Sequence, residues 1–233
     1  MHRHQRLVRD MFLSALHEYW ARRTGPPFLD VSGAAAVKIL IGKDALSYDQ
    51  STAAQAVGVE GKLPLIPDVA VHYRCGDNTV THYGFTPFRV FTATIPANAR
   101  FIYVMAESPT RNARPDRVER CSAIFHALRT YLMARYPAAV VVIMQGHDMF
   151  EDLARLTFAN TTICSVSTYC LWPALANNGT VYFPVTKLIA KENTSFDYGP
   201  SFHWLVADKH RAIKGSEALS WSHKKLVERL KAP

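Results

Sequence analysis

His72, Arg74 and Asp77 lie close together in His72-Tyr73-Arg74-Cys75-Gly76-Asp77, and this set of residue types suits the handling of an anion. Upstream, Val69, Val71 and Tyr73 alternate with Ala70 and His72 in a short apolar run, which predicts a buried strand over 68–73. The run breaks at Gly76 into Asp77-Asn78-Thr79, so Arg74 leaves the C-terminal end of that strand. Open α/β sheets bind their ligands at this edge. A guanidinium meets phosphate oxygens in pairs, which a lysine ammonium cannot do. A surface arginine after a core strand is the alternative reading of this stretch.

Three other stretches fall where such a fold places ligand groups. Gly146-His147-Asp148 directly follows a predicted strand over 138–144. Glu151-Asp152 opens the next helix, a position where carboxylates also serve simply to complement the helix dipole. Cys164-Ser165-Val166-Ser167-Thr168-Tyr169 runs from a strand into Leu171-Trp172-Pro173-Ala174-Leu175. Ser167 or Thr168 can cap that helix, and the same hydroxyls with nearby backbone N–H groups can receive a phosphate. For proton transfer, Asp77 and His82 follow the arginine on one loop, and His82 has a suitable ordinary pKa.

The elements that must position these groups follow from periodicity. Residues 6–22 have helical spacing and stop before Gly25-Pro26-Pro27. The stretch 28–66 is mixed and punctuated by glycine, as in a small subdomain or linker. Strands are expected at 68–73, 100–105, 138–144, 161–166 and 180–183. They alternate with helices at 114–135, 149–158 and 168–177, and a last helix near 216–230 closes the chain. Strands apolar on both faces that alternate with helices predict a Rossmann-like parallel sheet with right-handed crossovers. The expected division is a reduced N-terminal segment, 1–65, and a Rossmann-like domain, 66–233. G-x-G-x-x-G, G-x-x-x-x-G-K-[ST] and G-x-S-x-G loops do not occur in it, which argues against a dinucleotide dehydrogenase, a P-loop NTPase and an α/β-hydrolase.

At 233 residues, 48% apolar and 20% charged, the chain is long and apolar enough to bury a substantial core. Its net charge of +8 suits an anionic ligand, but the basic residues are dispersed. Arg111, Arg114, Arg117 and Arg120 are the densest group and read as a solvated face, so nucleic acid is not the expected partner. Cys75, Cys121, Cys164 and Cys170 show no C-x-x-C pairing or zinc spacing, and because Cys164 falls in an expected buried strand, a reduced core thiol is the expectation. Sequons occur at Asn160, Asn178 and Asn193, with Asn160 expected too near the core to be used. Residues 1–13 hold too short an apolar run for a signal peptide or membrane anchor. The chain is therefore expected to be soluble as given: cytosolic, or luminal if an anchoring segment lies elsewhere.

Taken in order, these motifs resemble the fucosyltransferase superfamily of GT-B glycosyltransferases, the α1,2-, α1,6- and protein O-fucosyltransferases. His72 to Asp77 is similar to their H-x-R-x-x-D motif. The run from Asp152 through Leu156, Ala159 and Ile163 to Ser167-Thr168, ending in Gly179-Thr180-Val181, is similar to their second signature. The likeness covers about 66–190 and implies a GT-B-type C-terminal domain binding a nucleoside-diphosphate sugar, GDP-fucose first among them. It implies that Arg74 grips the β-phosphate, His72 lines the nucleotide pocket, Asp152 accepts from the base edge, and Ser167 and Thr168 hold phosphate oxygens. Asp77 or His82 would be the base toward a glycan or protein hydroxyl. No metal or other cofactor is implied, and a membrane enters only through a segment absent from this sequence. Two departures stand out: Cys75 occupies a place where many members carry a second arginine, and only about 65 residues precede the motif. A catalytically degenerate nucleotide- or sugar-binding module is the alternative function.

Overall fold

A computed structural model describes residues 10–15, 18, 28–30, 62–64, 66–75, 84–106, 115–145, 149–185, 200–205 and 212–232. Two short antiparallel pairs flank the main sheet: β1 (Phe28–Asp30) with β2 (Lys62–Pro64), and β4 (Gly84–Phe85) with β10 (Ile213–Lys214). The main sheet contains β3 (Val69–Tyr73), β5 (Phe101–Ala106), β6 (Val140–Gln145), β7 (Thr161–Cys164), β8 (Thr180–Pro184) and β9 (Phe202–Leu205). They lie in the order β6-β5-β3-β7-β8-β9 and every neighbouring pair is parallel. The fold is α/β and Rossmann-like. Its chain moves outward from β3 through β5 to β6, then returns to the other side of β3 to form β7. That reversal marks the topological switch point of the sheet, at the C-terminal ends of β3 and β7, where ligands bind in sheets of this kind.

Side-chain alternation along β3 divides the core into two layers. Val69, Val71, Tyr73 and Cys75 face one way, into a cluster with Phe88 and Phe91 of α1 (Phe88–Thr94) and Ile124 and Leu128 of α2 (Pro115–Arg135). Ala218 of α5 (Gly215–Ala218) and Leu226 and Leu230 of α6 (His223–Lys231) complete that layer. Ala70 faces the other way, toward Leu156 of α3 (Met149–Phe158) and Ala174 of α4 (Leu171–Ala176). Both faces of the sheet are therefore covered, which is why its strands read as continuous apolar runs rather than alternating ones. Among the described residues no helix is long and apolar enough to cross a membrane.

The N-terminal edge of the sheet is closed by polar latches. Asp68 accepts from the Arg100 and Phe101 amides at 2.9 and 3.0 Å, tying β3 to the start of β5. The Asn177 side-chain amide donates to the Leu156 and Ala159 carbonyls and to Thr162 Oγ1, and its oxygen accepts from the Gly179 amide. This pins the α3–β7 turn to the α4–β8 turn. Gly179 sits so close to the Asn160 carbonyl that any Cβ would collide with backbone, so the position requires glycine.

Three expectations change. The cysteines are not reduced thiols: Cys75 pairs with Cys121 and Cys164 with Cys170, with Cα atoms 5.8 Å apart in each pair, and none is left free. Asn160 is not near the core; it is exposed on the α3–β7 turn. The last helix is not continuous, because Ser222 interrupts it and caps α6 by accepting from the Lys225 amide. Of the helix expected over 6–22, residues 10–15 and 18 are described and helical.

Candidate functional site

The reversal point brings together two segments 91 residues apart. Where the β3–β7 ladder ends, the Ser165 amide still donates to the His72 carbonyl at 2.9 Å. One step further, a side chain replaces the backbone partner: the Arg74 amide donates to Ser165 Oγ at 2.8 Å. Ser165 Oγ also lies 3.3 Å from His72 Nδ1. Ser165 Oγ thus ties the His72 ring to the Arg74 backbone, and which of the two atoms donates is set by the tautomer of the imidazole. His72 is buried and packs against the Tyr169 ring, their centroids 5.3 Å apart. Burial, followed by the charge of Arg74, pushes its pKa down to about 3, so the imidazole is neutral at physiological pH.

Arg74 projects to the α3–α4 side of the sheet, half-buried, and donates from Nη1 to Ser167 Oγ at 3.2 Å. The same oxygen accepts from the Tyr169 amide, also at 3.2 Å. A hydroxyl that accepts twice keeps its own proton to donate, as a phosphate oxygen requires. Ser167 is therefore not the cap of α4; that helix begins after Cys170, which makes no side-chain cap bond. Thr168 is exposed at the turn, and its carbonyl accepts from the Leu171 amide. The Cys164–Cys170 disulfide closes the base of this loop, so Ser165 and Ser167 sit in a short ring fixed by covalent chemistry.

The start of α3 reaches the same place, because Tyr169 Oη donates to the Met149 carbonyl at 3.1 Å. Asp152 stands in the first turn of α3, but its carboxylate is engaged. Arg155, fully buried, donates to Asp152 at 3.1 Å and to Glu151 at 2.9 Å. The helix start thus carries two carboxylates held by one buried guanidinium, which turns them back along the helix and offsets their charge.

Sequence reasoning missed several of these groups. Ser165 and Tyr169 lie inside a quoted motif but were assigned no role. Arg120 was read as part of a solvated basic face, yet it is buried in the second turn of α2. Among the described residues its Nε and Nη1 have no partner. It directly precedes Cys121, whose bridge to Cys75 places α2 beside the residue that follows Arg74. Burying a guanidinium whose donors are unmatched is costly, and α2 starts at the C-terminal end of β5, the same edge of the sheet. The only sequence signal for Arg120 was proximity to a cysteine whose partner could not be read. Asp77, His82 and the Gly146-His147-Asp148 stretch lie outside the described residues. Among those described, no group of three or more His, Cys, Asp or Glu is arranged to hold a metal ion. No protein-family model, curated protein or solved structure matches the chain.

Proposed function

We propose that this chain is a metal-independent, inverting glycosyltransferase of the fucosyltransferase type, using a nucleoside-diphosphate sugar, GDP-fucose by preference, and a glycan or protein hydroxyl as acceptor. The observation that carries the reading is the meeting of His72, Arg74, Ser165 and Ser167 where β3 and β7 end. In this reading Arg74 and the Ser167 hydroxyl hold the β-phosphate. The acceptor oxygen attacks the anomeric carbon while the bond from that carbon to the phosphate oxygen breaks, its electron pair leaving with the diphosphate. Arg74 stabilises the charge that develops there, where preorganised donors act most strongly. Neutral His72 lines the nucleotide pocket, and Asp77 or His82 takes the acceptor proton. Asp152 presents its remaining acceptor capacity to the base edge.

Calorimetric titration with GDP, UDP and ADP tests this. Saturable binding of one nucleoside diphosphate, weakened at least tenfold in Arg74→Ala, is expected; no binding of any of the three refutes it. The engagement of Glu151 and Asp152 by Arg155 favours a second reading, a nucleotide- or sugar-binding module without turnover. Tight binding of GDP with no consumption of GDP-fucose across a panel of glycan and peptide acceptors would select that reading.

A further inference from the structure

We propose that Asn160 and Asn178 carry N-linked glycans, and that the protein matures in an oxidising, glycosylating lumen. Three independent observations meet in this assignment. All four cysteines are consumed in two disulfides, a pattern that persists in secretory compartments and is rare in a reducing cytosol. Both asparagines head complete sequons, Asn160-Thr161-Thr162 and Asn178-Gly179-Thr180, and both are exposed. The third observation is their placement. Asn160 lies on the α3–β7 turn and Asn178 on the α4–β8 turn, both at the N-terminal edge of the sheet. The candidate site occupies the C-terminal edge, about 15 Å away along the strands.

The latch between these turns is built from Asn177, and the backbone contact from the Asn160 carbonyl to the Thr180 amide at 2.9 Å. Neither needs the Asn160 side-chain amide. A glycan there would extend into solvent without disturbing the sheet. The hydroxyl of Thr162, which the modifying enzyme must read, is buried and donates to the Leu156 carbonyl in the folded chain. Transfer to Asn160 therefore precedes closure of β7 and happens as the chain enters the lumen. In that step a lipid-linked oligosaccharide diphosphate is the co-reactant. The asparagine Nδ2 attacks the anomeric carbon, an amide proton is lost, and the lipid diphosphate leaves with the bonding electrons.

The test is mass mapping of the protein purified from the cells that make it. The glycans are released with peptide-N-glycosidase F in ¹⁸O-water, and thiols are alkylated before and after reduction. One tryptic peptide, 156–187, contains both sequons, so fragmentation must resolve the two positions. Expected are ¹⁸O-labelled aspartate at 160 and at 178, with no cysteine alkylated before reduction. An unmodified asparagine at either position overturns the assignment there. Free thiols at the four cysteines overturn the compartment. Asn160→Gln and Asn178→Gln should each remove one glycan step on a gel and leave GDP affinity unchanged within twofold; a larger loss overturns their placement away from the site.

Discussion

Acidification should destabilise this protein through His72 specifically. Its imidazole is buried against Tyr169 and beside Arg74, and its pKa falls from 6.5 to about 3. The sign follows from proton binding: between those values the unfolded chain takes up a proton that the native ring refuses. Stability is thus intact above pH 6.5 and declines as the pH falls toward 3. At about 1.4 kcal/mol per unit, His72 costs about 2 kcal/mol between pH 7 and pH 5, and about 4 kcal/mol by pH 3, where the native ring begins to protonate too. The assay is urea denaturation at pH 7 and pH 5 for the wild type and His72→Asn. Asparagine keeps an amide that can hydrogen-bond Ser165 Oγ in either direction but does not titrate. The variant should lose about 2 kcal/mol less than the wild type on going to pH 5. An equal loss in both proteins, or a His72 ring resonance titrating near 6.5 in the folded state, would refute the assigned environment.

Arg74→Lys should lower donor turnover about a hundredfold, on the order of 3 kcal/mol of transition-state stabilisation, with Arg74→Ala lower still and both variants folded by circular dichroism. Turnover at the wild-type rate in Arg74→Ala would remove it from the phosphate seat. Paired serine substitutions should separate the two disulfides. Removing Cys75–Cys121, which spans 46 residues, costs about 4 kcal/mol in denaturation, and removing Cys164–Cys170, which spans six, about 2 kcal/mol. The shorter bridge should nonetheless cost more nucleoside-diphosphate affinity, because it alone closes the serine loop; the opposite ranking of affinities would show that the loop is not the seat. Asp152→Ala should weaken nucleotide binding and also destabilise by about 1–3 kcal/mol, since it strips a partner from buried Arg155. A variant with unchanged melting temperature would contradict that pairing.

The elements with strong periodicity were legible in the sequence, and those formed against local preference were not. The helix expected near 149–158 is α3 (Met149–Phe158), and the helix expected over 114–135 is α2 (Pro115–Arg135). α1 (Phe88–Thr94) falls between the strands expected at 68–73 and 100–105, where no helix was expected. Phe88, Val90, Phe91 and its threonines are weak helix formers, and burial of the first three overrides that preference. β9, Phe202-His203-Trp204-Leu205, is too short for its pattern to stand out, and only Phe202 and Leu205 are buried. At the site, His72, Arg74 and Ser167 were singled out from strand-end positions that the fold brings together. The pairing of Asp152 with Arg155 was three residues away in sequence and still unread, because the depth of Arg155 depends on which face α3 buries. Disulfide partners 46 residues apart cannot be paired before the topology places β3 beside α2.

The two disulfides also bear on how such a site can act at all. Donors grip a diphosphate only as well as they are held before it arrives, since ordering them on binding subtracts from affinity. Arg74 and Ser167 come from segments separated by 93 residues and meet through one 3.2 Å bond, which would not fix either of them alone. Each segment is instead held by its own covalent tie. Cys75, the residue after Arg74, is bound to α2, and Cys164–Cys170 encloses the loop that carries Ser165 and Ser167. The backbone contact from the Arg74 amide to Ser165 Oγ then sets the register between the two fixed pieces. The entropy of assembling the seat is lost once, at folding and oxidation. If the proposed reading holds, a diphosphate would meet groups that need little further ordering, and its binding would depend on the disulfides directly beside Arg74, Ser165 and Ser167.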